Sequence, residues 1–171
     1  MDKSKSMINS NSKTFNKKRV KTLKKSKTFK NNSKINSSSS SLASFQKEIT
    51  LQFFEMILLI KLFHWKTHSY STHKATDKLY DDMNTHMDRF MEVLLGKTGI
   101  RMDFTNQKSI SLYDLNSQEK LIAKVNQFKS YLVNLLSKKS LENLMLDTGL
   151  LNVRDEILED MNQFLYLLSL K

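Results

Sequence analysis

From about residue 43 onward, apolar residues recur every three or four positions, the spacing of amphipathic helices. The pattern predicts four of them, at 43–67, 72–96, 117–138 and 148–170. In the third, Leu121, Val125, Phe128, Leu132 and Leu135 keep the spacing; in the fourth, Leu150, Val153, Ile157, Met161, Phe164 and Leu168 do. The chain has no proline and only three glycines, which suits long uninterrupted helices better than a turn-rich sheet. Thr72 is placed to cap the second helix and Gly96 to end it, while Asn116 and Glu119 stand as a capping box for the third. In the first helix a polar stripe of Glu48, Gln52 and Glu55 gives way to apolar residues from Met56 to Phe63, so its second half is expected to be buried all round.

Between the second and third helices lies "KTGIRMDFTNQKSISLYD", residues 97–114, far longer than the neighbouring connections. A helix of roughly 24 residues is about 36 Å long. A segment of this size can span that length, which would let the second and third helices run parallel. The expected fold is all-α, a four-helix bundle with the single long crossover of ferritin-like bundles.

Charge divides the chain near residue 44. Residues 1–44 hold twelve Lys or Arg against the single acid Asp2, whereas residues 45–171 hold sixteen basic and sixteen acidic residues. The first segment is rich in Lys, Ser and Asn and poor in apolar residues, so it is expected to be a disordered basic tail ahead of a bundle at 45–171. Lys17, Lys18, Arg19, Lys21, Lys24, Lys25, Lys27 and Lys30 would bind phosphates through counterion release, with little sequence preference. DNA is the favoured partner; a nuclear address, an acidic-lipid tether and a solubilising arm are the rivals. Without cysteine, any metal would be held by nitrogen and oxygen. The longest apolar run, Phe53 to Trp65, is too short for a membrane span, and no secretory signal precedes it. A soluble intracellular protein of cytoplasm, nucleus or virion is expected, not a secreted one.

The second helix carries the candidate chemistry. On a helical wheel Asp77, Asp88 and Glu92 fall about 40°, 60° and 100° from His73, a stripe bordering the apolar arc of Leu79, Tyr80, Met83, Met87, Phe90 and Leu94. Imidazole and carboxylate suit iron, manganese or zinc, and the pairs His73/Asp77 and Asp88/Glu92 each have the spacing to grip one ion. The two pairs are about 22 Å apart along the helix axis, too far to share a metal within one chain. Two antiparallel copies of the helix would set each pair against the partner's other pair, which predicts a two-fold dimer. The competing reading is that these carboxylates are simply solvated. His86 points away from the stripe and reads as an ordinary surface residue. Asp155, Glu156, Glu159 and Asp160 read as a solvated face with a lesser claim to metal contact. "LLGKTG" at Leu94 to Gly99 lacks the first glycine of a phosphate loop and reads as a helix end.

The spacing H-x3-D-x10-D-x3-E in His73, Asp77, Asp88 and Glu92, with His64-Trp65 just upstream, resembles the Dps-type miniferritins of the ferritin-like superfamily. The match is strong over residues 64–96 and topological elsewhere. In those proteins the histidines and first aspartate come from one subunit, and the second aspartate and the glutamate come from its two-fold mate. The resemblance implies a site where His64 and His73 supply nitrogen, Asp77 and Glu92 hold or bridge iron, Asp88 is a ligand or its support, and Trp65 lies alongside. Read alone, Trp65 is a core aromatic. It also implies oxidation of ferrous iron by peroxide or oxygen, a homo-oligomer that closes into a shell, and DNA binding by a lysine-rich extension. Eight residues separate His64 from His73 where the family generally has eleven, so the turn is short, and His68 is a further candidate ligand. The chain is also similar to uncharacterised ferritin-like proteins of large DNA viruses and phages. The alternative is a non-enzymatic nucleic-acid packaging or virion-associated bundle, in which these residues form interface salt bridges.

Overall fold

A computed structural model describes residues 28–135, 144 and 148–170, with side chains described from residue 40. Among them are four long helices and no strand: α1 (Thr28–Lys66), α2 (Tyr70–Thr98), α3 (Gln118–Asn134) and α4 (Thr148–Ser169). The protein is all-helical, as the periodicity predicts. The start of α1 lies well ahead of residue 43, so residues 28–44 are helical where composition predicts disorder. Neither glycine nor proline occurs before Gly96, so nothing in the sequence forces a break there. Low apolar content limits burial; it does not forbid helix.

The caps fall beside the expected residues. Ser69, in extended backbone, accepts from the Thr72 amide at 3.3 Å and starts α2. Thr72 itself is buried inside the first turn. Because α1 runs to Lys66, only Thr67, His68 and Ser69 remain to reverse the chain, and Ser69 is the hydroxyl residue that abuts the new helix. The other end of α2 is closed by Gly99 at φ +64, whose amide donates to the Leu95 carbonyl at 2.9 Å. A left-handed residue is needed only there, and Gly96 stays in the last turn. For α3 the cap is Ser117, which accepts from the Lys120 amide, instead of the Asn116/Glu119 box. Asn116 instead accepts from the Lys120 ammonium at 2.9 Å.

Helix α2 packs on α1 and α4, and α3 packs on α4 and α1, with α2 and α3 on one diagonal of the bundle and α1 and α4 on the other. This is a four-cornered bundle whose one core draws on every helix. Near its middle Phe53 of α1 meets Phe90 of α2 edge-on at 5.4 Å and Phe128 of α3 at 6.0 Å.

Residues 99–117 run along the outside of α1. At one end Gln46 donates to the Thr98 hydroxyl at 2.8 Å and the Ile100 carbonyl at 3.3 Å; at the other Lys66 pairs with Asp114. Residues 46 and 66 are about 30 Å apart on a helix. The segment then delivers Gln118, which accepts from the Thr72 hydroxyl at 3.3 Å and donates to the Leu168 carbonyl at 3.0 Å. The first turns of α2 and α3 therefore share one end of the bundle with the last turn of α4. No helix among the described residues is long and apolar enough to cross a membrane.

Candidate metal centre

The short turn between α1 and α2 does not separate the two histidines; it stacks them. Their rings lie 3.9 Å apart and 24° from parallel. His64 Nδ1 faces the His73 carbonyl at 3.1 Å, and His73 Nδ1 faces the His64 carbonyl at 3.1 Å. A carbonyl oxygen only accepts, so each Nδ1 carries the proton and donates it. In the neutral rings both Nε2 atoms thus keep a free lone pair, the arrangement that prepares imidazole for a metal. Thr76 supports it: its hydroxyl sits 3.3 Å from His64 Nδ1 and shares its one proton between the Thr72 and His73 carbonyls at 2.8 and 3.0 Å.

His64 is buried at 7% exposure, and its Nε2 lies 3.7 Å from a carboxylate oxygen of half-exposed Asp77. That is an ion-pair distance, beyond a direct hydrogen bond. One end of α2 thus gathers His64, His73 and Asp77. Asp88 and Glu92 are exposed on later turns. Among the described residues of one chain, no three or more His, Asp or Glu side chains form a group placed to hold a metal ion. His68 is exposed on the turn. Trp65 is 70% exposed, which corrects the core reading of its indole.

Trp65 has company. Phe54 and Leu58 are 48% and 42% exposed, so the second half of α1 is not buried all round within one chain. Relative to Phe54, Leu58 and Trp65 lie about 40° and 20° round the helix, one apolar stripe. Phe54 also lines a groove with Thr50, Asn84, Met87, Asp88, Met91 and Met102. Phe54 belongs to both the stripe and the groove, and Asp88 of α2 is among the groove's lining residues.

On the opposite flank of α2, His86 departs from its expected surface role. Its Nδ1 lies 2.6 Å from Asp160 and its Nε2 3.7 Å from Glu156, while Arg89 binds Glu156 at 2.8 Å. Lys78 pairs with Asp82 beside them. Burial pushes the Asp160 carboxyl above its usual range, with Asp82 adding to the rise and His86 and Lys78 opposing it. Glu156 and Asp160 are thus an α2–α4 seam, not a wholly solvated face. The wheel holds a signal for this, since His86 falls about 20° from Leu79 at the edge of the apolar arc.

Lys17, Lys18, Arg19, Lys21, Lys24, Lys25 and Lys27 lie outside the described residues; Lys30 falls in the first turn of α1, ahead of the described side chains.

An all-helical bundle with an interlocked histidine pair and an adjacent carboxylate is the class of protein this geometry defines. Residues 64–168 match a family described as a family of unknown function, DUF5856, and the chain belongs to it. No curated protein and no solved structure matches the chain.

Proposed function

We propose that this protein is a Dps-type, ferritin-like bundle that binds and oxidises ferrous iron at a site shared by two subunits, and that its basic N-terminal segment binds DNA without sequence preference. The single observation that carries the iron reading is the reciprocal lock of His64 and His73, which leaves both Nε2 lone pairs free, that of His64 3.7 Å from Asp77. Such a donor set suits ferrous iron, with zinc or manganese as competitors. The segment along α1, delivering α3 to the end where α2 begins, supports a ferritin-like crossover.

In this reading the second copy supplies Asp88 and Glu92, and the apolar stripe of Phe54, Leu58 and Trp65 is the surface it covers. Ferrous ions are the substrate. Each of two ions would give one electron to hydrogen peroxide, whose O–O bond would break to give two hydroxides that take up protons from solvent as water, and the carboxylates would offset the added charge of the ferric product. A closed shell of such dimers would hold that product.

Purified protein is expected to accelerate peroxide-dependent iron oxidation over a protein-free control, followed optically. His73→Ala and Asp77→Ala should each lower the rate at least about tenfold, the scale of losing an anchored ligand, with far-UV circular dichroism unchanged. Unchanged rates in both variants would leave the rival reading, a nucleic-acid packaging bundle that uses these residues as salt bridges; the 3.7 Å His64–Asp77 pair is the observation in its favour.

The tail is tested separately. Deleting residues 1–27 is expected to abolish retention of duplex DNA in a mobility-shift assay, and binding by the full chain should weaken steeply as salt rises. DNA retention that survives the deletion would remove the tail from the proposal.

A further inference from the structure

The groove between α1 and α2 holds chemistry that the iron reading does not use. Met87 and Met91 stand one turn apart on α2, and Met102 comes over from the 99–117 segment to line the same space. Residues four apart on a helix are neighbours on its surface, so three thioethers from two elements reach one groove. Thr50 fixes where two of them meet. Its hydroxyl oxygen lies 3.0 Å from the Met102 sulfur, 3.8 Å from the Met91 sulfur and 2.7 Å from the Gln46 carbonyl.

A hydroxyl has one proton to donate. The short contact to the Gln46 carbonyl, the strongest acceptor of the three, takes it. The Met91 and Met102 sulfurs therefore compete only weakly for that proton, and both lie within 3.8 Å of the one hydroxyl oxygen. Met87 is buried at 4% exposure in the apolar core, where methionines ordinarily fill gaps, but Met102 is 36% exposed and meets the Thr50 hydroxyl. Asp88, at the same rim, supplies one negative charge.

From this convergence we propose that Met87, Met91 and Met102 form a thioether site for a soft monovalent cation, copper(I), with Asp88 offsetting its charge. Thioether sulfur selects copper(I) over the harder divalent ions that imidazole and carboxylate favour. The unbranched methionine side chains have the torsional freedom to close on an ion without moving a helix. The site is separate from the stacked histidines and shares only Asp88 with the residues of the iron reading; its three thioethers do not depend on whether iron is oxidised there.

The test is an anaerobic titration of the full chain with copper(I) in competition with bathocuproine disulfonate. One ion per chain should be retained. The double variant Met91→Leu/Met102→Leu, nearly volume-conserving, should lose about a hundredfold or more in affinity, since changes beyond the ligand shell already cost about ten- to a hundredfold. His64→Ala/His73→Ala should leave copper(I) affinity unchanged. An unaltered affinity in the leucine variant, or a loss in the histidine variant instead, would overturn the proposal. Silver(I) added to unmutated protein carrying methyl-labelled methionine gives a readout free of folding defects. The Met87, Met91 and Met102 methyl resonances should shift while those of the other methionines hold; no shift, or a uniform one, would count against the site.

Discussion

Phe53→Ala is expected to cost about 3–5 kcal/mol of folding stability, the range for removing a buried phenylalanine ring. The ring is 2% exposed and touches the edges of Phe90 and Phe128, so it joins three of the four helices at one point. Its loss removes the transferred apolar area and also leaves a cavity that rigid neighbouring helices fill only in part. Two edge-to-face ring pairs go with it, each about 0.5–1.5 kcal/mol beyond area alone. A domain of this kind has roughly 5–15 kcal/mol in total, so the variant should unfold at a much lower urea concentration by far-UV circular dichroism. A loss below about 1 kcal/mol, the scale of an average substitution, would mean that the bundle is not organised around this residue.

Much of this core is written in the sequence, because helical periodicity records which face of each helix is covered. The apolar positions named for the third and fourth helices, from Leu121 to Leu135 and from Leu150 to Leu168, are all buried. Boundaries were harder to read, for a physical reason. Ser69, Ser71 and Thr72 all have the chemistry of a cap, and the choice among them is set by where α1 stops. Likewise both Gly96 and Gly99 tolerate a helix end, and only the backbone shows that Gly99 takes the positive φ.

The candidate site divides in the same way. Spacing pairs His73 with Asp77 on one helix face, and the resemblance to the miniferritins adds His64 across the short turn. The mutual hydrogen bonds to backbone carbonyls are invisible to spacing, because they depend on how a three-residue turn sets two helix ends against each other. His86 escaped for a different reason. Its partners Glu156 and Asp160 lie more than sixty residues along the chain on α4. A wheel drawn for one helix shows which side chains flank the core, but not what the next helix brings to that edge.

Mixing two inactive variants is expected to restore about a quarter of the native iron-oxidation rate, if the site is shared as proposed. His73→Ala removes a ligand from the histidine half, and Glu92→Ala removes one from the carboxylate half. In a two-fold dimer of either variant alone, both sites are defective. A mixed dimer differs: one of its sites carries both substitutions and the other carries neither, because each site takes its halves from different subunits. Random pairing makes about half the dimers mixed, and about half of their sites are intact, hence the quarter. The experiment needs co-refolded or co-expressed chains, a check that dimers exchange, and the oxidation assay on the mixture. Were each site built from one chain, no mixture could recover activity. Recovery near a quarter would therefore identify a two-subunit site from kinetics; a mixture as inactive as its two components would rule that arrangement out, and full activity of Glu92→Ala on its own would assign the chemistry to the His64, His73 and Asp77 end of a single chain.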